Sequence, residues 1–485
     1  MVRSTLAGVG LVLMTGASAA AQTAAAPTYV KDVGPLIIEK CVMCHRDGEV
    51  APMSLTSYEE TRPWARAIKN KVQKREMPPW FAESRSSKPF ANDLSLTQQQ
   101  IDMLAAWVDA GSPRGEGAAP QPPTFVAGWH KLKGRAPDAI IEMPVAFTVP
   151  AEGEIPNFTI WSDNPYKGTD KYMEAIELRP EVITATHHSS VGVRKLPANT
   201  KLGRGAAWKG GPIVDSMPIN PDGTVWGTTG DVNEDAPATA ARVEEQRNAL
   251  RDEAFATRNS TNLLLFYVPG GGFYEFPAGA VKAIHADDVL TWGMHYTPTG
   301  KVEKDRHKLG LWFSQSPPKH EIITQRVGET HIVEGKEVGP RFVPGGGSIS
   351  NIPNIPPLAG DWRITGITPF QEDTTLYGLW PHMHLRGKDM MFVVTFPDGR
   401  EDVVINVPKY DFNWQLQYQL KEPMKLPAGT TIKTIGHFDN SAANKYNPAP
   451  DATVYWSEQS WDEMFNGWME LATDKDVIKP KTSQN

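Results

Sequence analysis

From about Trp129 onward the chain is a series of short runs rich in β-branched and aromatic residues, each closed by Pro, Gly, Asn or Asp. "DAIIEMPVAFTVP", "NLLLFYVPGGGFYEFPAG", "VLTWGMHYTPTG", "DMMFVVTFPDGREDVVINVP" and "PAGTTIKTIGHFDNSA" are examples. Many short strands punctuated by turn residues predict β-sandwiches rather than a parallel α/β sheet. The 41 glycines and 41 prolines agree with a turn-rich architecture. One stretch departs from the pattern: residues 234–260, "EDAPATAARVEEQRNALRDEAFATRNS", read as a charged helix inserted near a domain edge. No repeat of fixed period stands out.

At 485 residues the chain exceeds the size of one ordinary core, so two or three domains are expected. It starts with one positive residue (Arg3), an apolar run from Leu6 to Met14 and the small residues Ala19, Ala20 and Ala21. That is the layout of a secretory signal peptide over residues 1–21, and the run is too short to span a bilayer. The expectation is a periplasmic or secreted protein without stable membrane insertion, since no later stretch is long and apolar enough. Lys and Arg total 49 against 56 Asp and Glu, so charge gives no reason to expect a nucleic-acid partner.

An exported chain could use cysteines for disulfides, yet this one has only Cys41 and Cys44, in "CVMCHRDGEVAPMSL". Cys-x-x-Cys-His is the attachment signal for c-type haem, with two thioether links and His45 as the proximal iron ligand. The other readings fit less well. A redox dithiol would sit in thioredoxin-like βαβ surroundings, and a zinc site would need two more ligands nearby. A second axial ligand is offered by Met77 in "KREMPPWF", where a thioether would raise the haem potential and two prolines would hold the loop. Met53 and Met103 compete with it. Met103 lies in "LTQQQIDMLAAWVDAGSP", an amphipathic helix with Ile101, Leu104, Ala105 and Val108 on its buried face. Thr97 with Gln100 forms a capping box there, and Gly111 is a stop, so Met103 reads as core.

Residues 22–115 thus resemble a small, all-α class I cytochrome c domain. "SPRGEGAAPQPPTF" follows, and a linker is expected over residues 116–127.

Five histidines of the β-rich part stand out: His187 and His188 in "ITATHHSSVGV", His295 in "TWGMHYTPTG", and His382 and His384 in "GLWPHMHLRGK". Positions two apart on a strand share a face, so His382 and His384 can converge on one ion. Adjacent His187 and His188 can do so only where the strand bends or ends. Met464 in "WDEMFNGW" sits among acidic and polar residues, an odd place for a purely apolar role. If its strand runs beside that of His382, the site is two imidazoles and a thioether, which favours copper over zinc. His187, His188 and His295 by themselves suit zinc or copper equally. His130, His285, His307, His320 and His331 read as solvated.

In this order, "HH", "HYTPTG", "HMHLRGK" and "DEMFN", the motifs resemble the copper type II, ascorbate-dependent monooxygenases, the family of peptidylglycine α-hydroxylating and dopamine β-monooxygenases. The resemblance covers roughly Pro137 to Leu471. It implies two jelly-roll-like β-sandwiches with one copper each, expected over residues 128–318 and 319–475, with a tail at 476–485. It also implies that His187, His188 and His295 hold an electron-transfer copper, while His382, His384 and Met464 hold the oxygen-activating one. Only through this resemblance is His437 a candidate support for the ligands of the latter. Three departures qualify it. Both cysteines are committed to haem, so the sandwiches must hold by packing alone. Gly293 stands where the family has a glutamine. Trp380 stands where the peptide-amidating enzyme holds a substrate carboxylate with arginine, which points to a more apolar or aromatic substrate.

The resulting expectation is a haem c-linked copper monooxygenase that hydroxylates a C–H bond of a small organic substrate with O2. An ascorbate-like reductant or a redox protein is the external electron donor. Each copper cycles one electron, and haem c delivers one at a time. Two other readings remain: an electron-transfer cytochrome with a copper-holding β-sandwich module, which leaves Met464 without a purpose, and a three-histidine zinc hydrolase, which leaves the haem without one.

Overall fold

The computed structural model describes residues 26–83, 88–123, 129–153, 155, 157–195, 262–269, 271–326, 328, 330–340, 352–456, 460–473 and 478. The expected signal peptide and the inserted helix at 234–260 lie outside these residues. The described chain is mostly β-sheet with few helices.

The helices gather at the N-terminal end. Gly34–Lys40, Ala65–Gln73 and Gln98–Asp109 enclose a core of Tyr29, Val33, Ile37, Val72, Ile101, Leu104 and Trp107. Gln98–Asp109 forms where its pattern requires. Thr97 accepts from the Gln100 backbone, Gln100 closes the reciprocal bond, and Gly111 follows the helix at φ +84°. Its apolar face includes Trp107, which the sequence reading did not place in the core, and Met103 packs against that core as expected.

Two groups of mainly antiparallel sheets follow, with one parallel pair between Ala280–Ile284 and His320–Glu321. In the first, Phe158–Asp163, Asp288–Tyr296, Thr186–Lys195 and Asn262–Tyr267 form a four-stranded sheet in that order. It shares a core of Phe147, Ile176, Leu178, Leu290, Trp292, Tyr296 and Leu309 with a six-stranded sheet centred on Lys171–Arg179. In the second, Ile323–Arg326, Asn466–Thr473, Thr374–His382 and Tyr418–Leu426 form a four-stranded sheet. Facing it is a six-stranded sheet whose middle strands include Thr431–Phe438 and Gly387–Thr395. Thr431–Phe438 alternates half-buried and buried residues along its length, the period-two signature of a sheet with one face on the core.

Thr374–His382 breaks that alternation, because every one of its residues is buried. Leu376 and Leu379 enter the second core, whereas Tyr377 enters the first. On the neighbouring strand Met469 and Leu471 face the second core and Ala472 the first. This sheet is therefore packed on both faces, and the strands it offers read as continuous apolar runs. The chain crosses between the sheet groups at a single residue. His320–Glu321 still pairs with Ala280–Ile284 of the first group, Ile322 is buried in the first core, and Ile323–Arg326 already pairs with Asn466–Thr473. The crossing thus lies a few residues beyond the expected 318/319 division.

Candidate metal centre

The first histidine set forms at the end of a strand pair. Thr186–Lys195 and Asp288–Tyr296 pair with His188 opposite His295, and the register slips between Thr186 and His188. That bulge gives His187 and His188 a common direction, which a regular strand denies to adjacent residues. His295 Nδ1 lies 3.2 Å from His187 Nδ1 and 3.0 Å from His188 Nε2. An ion about 2.0–2.1 Å from each nitrogen in tetrahedral geometry separates its ligands by roughly 3.3 Å, so the spacing fits a metal with little adjustment. One ring nitrogen from each of the three residues falls within 4.8 Å of the others. Burial lowers the pKa of all three imidazoles, that of His295 to about 3, so they present lone pairs rather than charges.

The second set is built where Thr374–His382 ends beside the start of Asn466–Thr473, with His382 in register with Asn466. Met464 precedes that start, as expected if its strand ran next to that of His382. His382 Nε2 lies 3.3 Å from Met464 Sδ. The same-face argument needs one correction: His384 lies in the turn beyond the strand, yet the two rings still meet with centroids 5.4 Å apart. His382, His384 and Met464 are 7 %, 1 % and 8 % exposed, too dry for imidazole and thioether groups that merely face solvent.

Supporting groups fix both rings. Gln415, 1 % exposed, places Oε1 2.5 Å from His382 Nδ1. With Nδ1–H donating there, Nε2 carries the lone pair that faces the thioether. His384 Nδ1 sits 3.2 Å from the Asp462 carbonyl. Glu463, fully buried, accepts backbone N–H bonds from His384 at 2.8 Å and from Arg386 at 2.6 Å, which holds the turn closed. Burial pushes its carboxyl up to about 8, against the pull of those donors and the Arg386 guanidinium.

The two sets are neighbours. The His188 and His382 rings lie 6.5 Å apart, and each sheet group sends a phenylalanine toward the other's histidines. Phe266 lies 5.3 Å from the His188 ring, 6.4 Å from His382 and 4.1 Å from Trp380. Phe412 lies 5.1 Å from His187 and 5.9 Å from His384. Asn413 lies beside His187, so the 410–418 segment touches both sets. Sequence reading missed Phe266, Phe412, Asn413, Gln415 and Glu463. The one signal for the segment is "YDFNWQLQY", aromatic and amide residues too irregular for a strand. Gly293 has a local reason: a Cβ there would lie 2.5 Å from Ser190 Oγ, so a longer side chain requires that hydroxyl to turn away.

Most of the histidines read as solvated need correction, whereas His130 is exposed as expected. His307 is fully buried, its ring between Asp305, at 2.5 Å, and Ser189, at 2.9 Å. His331 is 1 % exposed against Phe465. His285 is half-buried and binds Glu321 at 3.1 Å, and His130 pairs with Glu177 at 3.0 Å and stacks on Phe273. Only His320 has no such partner described, and it too is half-buried. His437 engages Asp389 at 2.6 Å rather than a ligand of either set.

In the N-terminal unit Cys41 caps the Gly34–Lys40 helix, and Cys41 and Cys44 are free thiols. Burial raises both, Cys41 to about 12 and Cys44 to about 11. The Met53 carbonyl lies 3.3 Å from His45 Nδ1, leaving Nε2 able to face a metal. These residues fit a covalent haem c. Met77 is half-buried in the loop after Ala65–Gln73.

Neither a protein-family model nor a curated protein matches the chain. Among solved structures, an uncharacterized protein from Listeria monocytogenes is 13 % identical, with 38 % of this chain and 14 % of that one covered and a TM-score of 0.15. The N-terminal CBM22-1-CBM22-2 tandem domain of Paenibacillus barcinonensis Xyn10C is 7 % identical over 69 % of this chain and 92 % of that one, TM-score 0.15. A Paenibacillus xanthan lyase is 11 % identical over 74 % and 28 %, TM-score 0.14. The chain thus spans 14 % of the first of these proteins. Likenesses this weak identify neither fold family nor function.

Proposed function

We propose that the chain is an exported, haem c-linked copper monooxygenase acting on a C–H bond of a small organic substrate. One observation carries the reading. A cluster of three neutral imidazoles lies beside a buried second cluster of two imidazoles and a thioether, ring to ring at 6.5 Å, at the boundary between two β-sheet groups. A three-nitrogen set alone suits zinc or copper, but a thioether in the adjoining set selects copper.

His187, His188 and His295 would hold one copper and His382, His384 and Met464 the other, while Cys41, Cys44 and His45 would hold the haem, with Met77 as the further residue offered to its iron. Bound there, copper supplies O2 activation and one-electron storage, and the haem supplies single electrons from a reductant or redox protein. Gln415 and Glu463 keep the second set's donors aimed inward. Phe266, Trp380 and Phe412 keep water out of the boundary between the sets and give an organic substrate apolar walls. Among the described residues no helix is long and apolar enough to cross a membrane.

Metal and haem content test the proposal. The full chain, made in a host that matures haem c and supplied with copper, is expected to hold two coppers per haem. Met464→Ala is expected to lose or loosen one of them. Zinc in place of copper, or no metal beyond the haem iron, would remove the monooxygenase reading.

A further inference from the structure

The loop after Met77 leaves the N-terminal unit. Trp80, Phe81 and Ala82 pack on the second β core, and Phe90 is buried within it. The Glu83 backbone N–H donates to the Asn406 carbonyl at 2.8 Å, and that of Ala91 to the Gln419 carbonyl at 2.8 Å. Lys421 donates back to the Pro89 carbonyl at 2.9 Å, and Phe90 forms an antiparallel bridge with Leu420. Asn92 adds two bonds, from Nδ2 to the Gln417 carbonyl at 2.7 Å and from the Gln419 N–H to its Oδ1 at 3.1 Å. The segment thus augments the edge strand Tyr418–Leu426 of the sheet that bears the second metal set. Rings fasten it as well: Trp80 and Tyr418 lie 4.9 Å apart, Trp80 and Phe90 5.8 Å, and Phe90 and Tyr418 5.6 Å. The backbone of Phe81 and Ala82 lies beside the Tyr418 hydroxyl.

Tyr418 ends the segment that carries Gln415, and Gln415 holds His382. A continuous series therefore runs from the expected axial ligand Met77 along the chain to Trp80, across a ring contact to Tyr418, and through Gln415 to His382. We infer that this docked strap commits the N-terminal unit to the second metal set, with Trp80, Tyr418 and Gln415 positioning an electron path that enters at His382 rather than at the three-histidine set. The inference rests on the haem and copper reading above. With both groups bound, one electron would pass from ferrous haem to cupric copper held by His382, leaving ferric haem and cuprous copper, with no proton or group moving.

A rival entry exists. The Cys44–Glu49 turn lies near enough to Tyr267 to act on its phenol electrostatically, and Tyr267 adjoins Phe266, which touches His188. The strap is bonded to the second sheet group through backbone and side chains alike, so the structure favours His382.

The test reads the haem spectrum, not product. The haem of the copper-loaded full chain is reduced without O2, and its re-oxidation by bound cupric copper is followed by stopped-flow absorbance after rapid mixing. Trp80→Leu is expected to slow that phase at least about tenfold, with haem and copper content unchanged, and Trp80→Phe to restore most of it. His188→Ala, retaining copper at the second set, is expected to keep the fast phase, and His382→Ala to lose it. Hydrogen exchange at residues 80–83 and 88–92 reports docking: Asn92→Ala is expected to raise exchange and slow the phase together. A native rate in Trp80→Leu, or a fast phase lost in His188→Ala and kept in His382→Ala, would overturn the inference while leaving the copper reading intact. A native chain without copper would instead fail the reading on which the inference rests.

Discussion

Lys282 is fully buried in the first sheet group and reaches across to the second. Its ammonium donates to the Leu263 carbonyl at 2.8 Å and to Thr324 Oγ1 at 2.6 Å, and Glu470 Oε1 lies 3.6 Å away. Burial depresses the lysine pKa and raises that of Glu470, each effect opposed by the partner's charge. Lys282→Met keeps the volume but strands Glu470, while the Thr324 hydroxyl and the Leu263 carbonyl keep only their bond to each other at 3.0 Å. Breaking a buried pair from one side costs about 3–5 kcal/mol. For a cooperative unit of this size each kcal/mol shifts Tm by roughly 2–4 °C, so the expected fall is on the order of 10 °C. Replacing both partners by apolar groups is often neutral, so Lys282→Met with Glu470→Leu is expected to recover most of the loss. Thermal unfolding followed by tryptophan fluorescence, run as a double-mutant cycle, measures this coupling. A single-variant loss under about 0.5 kcal/mol, or a double variant as unstable as the sum of the singles, would refute the assignment of Lys282 as the latch between the sheet groups.

Gln415→Leu removes the acceptor that fixes His382 and is expected to weaken copper binding at the second set by about 10–100-fold, leaving the first set unchanged. Competition with a Cu(I) chelator, monitored for the two coppers separately, checks it, and unaltered affinity would show that the amide does not orient the ring. His285 tests a different kind of coupling. Its pKa is raised to about 9, first by the hydrogen bond to Glu321 and further by Asp288 and Asp170, against desolvation, with the Tyr172 ring edge-on nearby. A raised histidine pKa gives stability that is complete below the unfolded value near 6.5 and is lost as pH rises through 9. With the ring about a third exposed, solvent screening reduces the contribution to roughly 1–2 kcal/mol. Chemical denaturation at pH 6 and pH 9.5 is expected to show this loss in the native chain and not in His285→Gln.

Much of the site was readable because its cause is local. The His187–His188 pair required a strand irregularity, and the register slips at that point. Thr97, Gln100 and Gly111 marked a helix that forms between them. Asp305 and His307 were legible in principle, since two residues apart on an extended chain they share a face, and "EKDRHKL" showed them; the buried Ser189 that completes their contact was not. Phe266, Phe412 and Gln415 acquire their roles only when two sheet groups meet, and no periodicity within either segment encodes that meeting. The same holds for the strap, where "MPPWF" announced a methionine loop but not the edge strand it would join.

Thr374–His382, buried throughout between two cores, carries a consequence for how this chain can be divided. A cut at the crossing near Ile322 would give two fragments, each baring an apolar sheet face that the other normally covers, and the fragment with His382 would also lose the partner of Glu470. Neither half is then an independent part, whatever the linear order of motifs suggests. Gene fusions, truncations and transplanted modules drawn from this chain must keep both sheet groups together, because the frame that spaces the two metal sets belongs to neither alone.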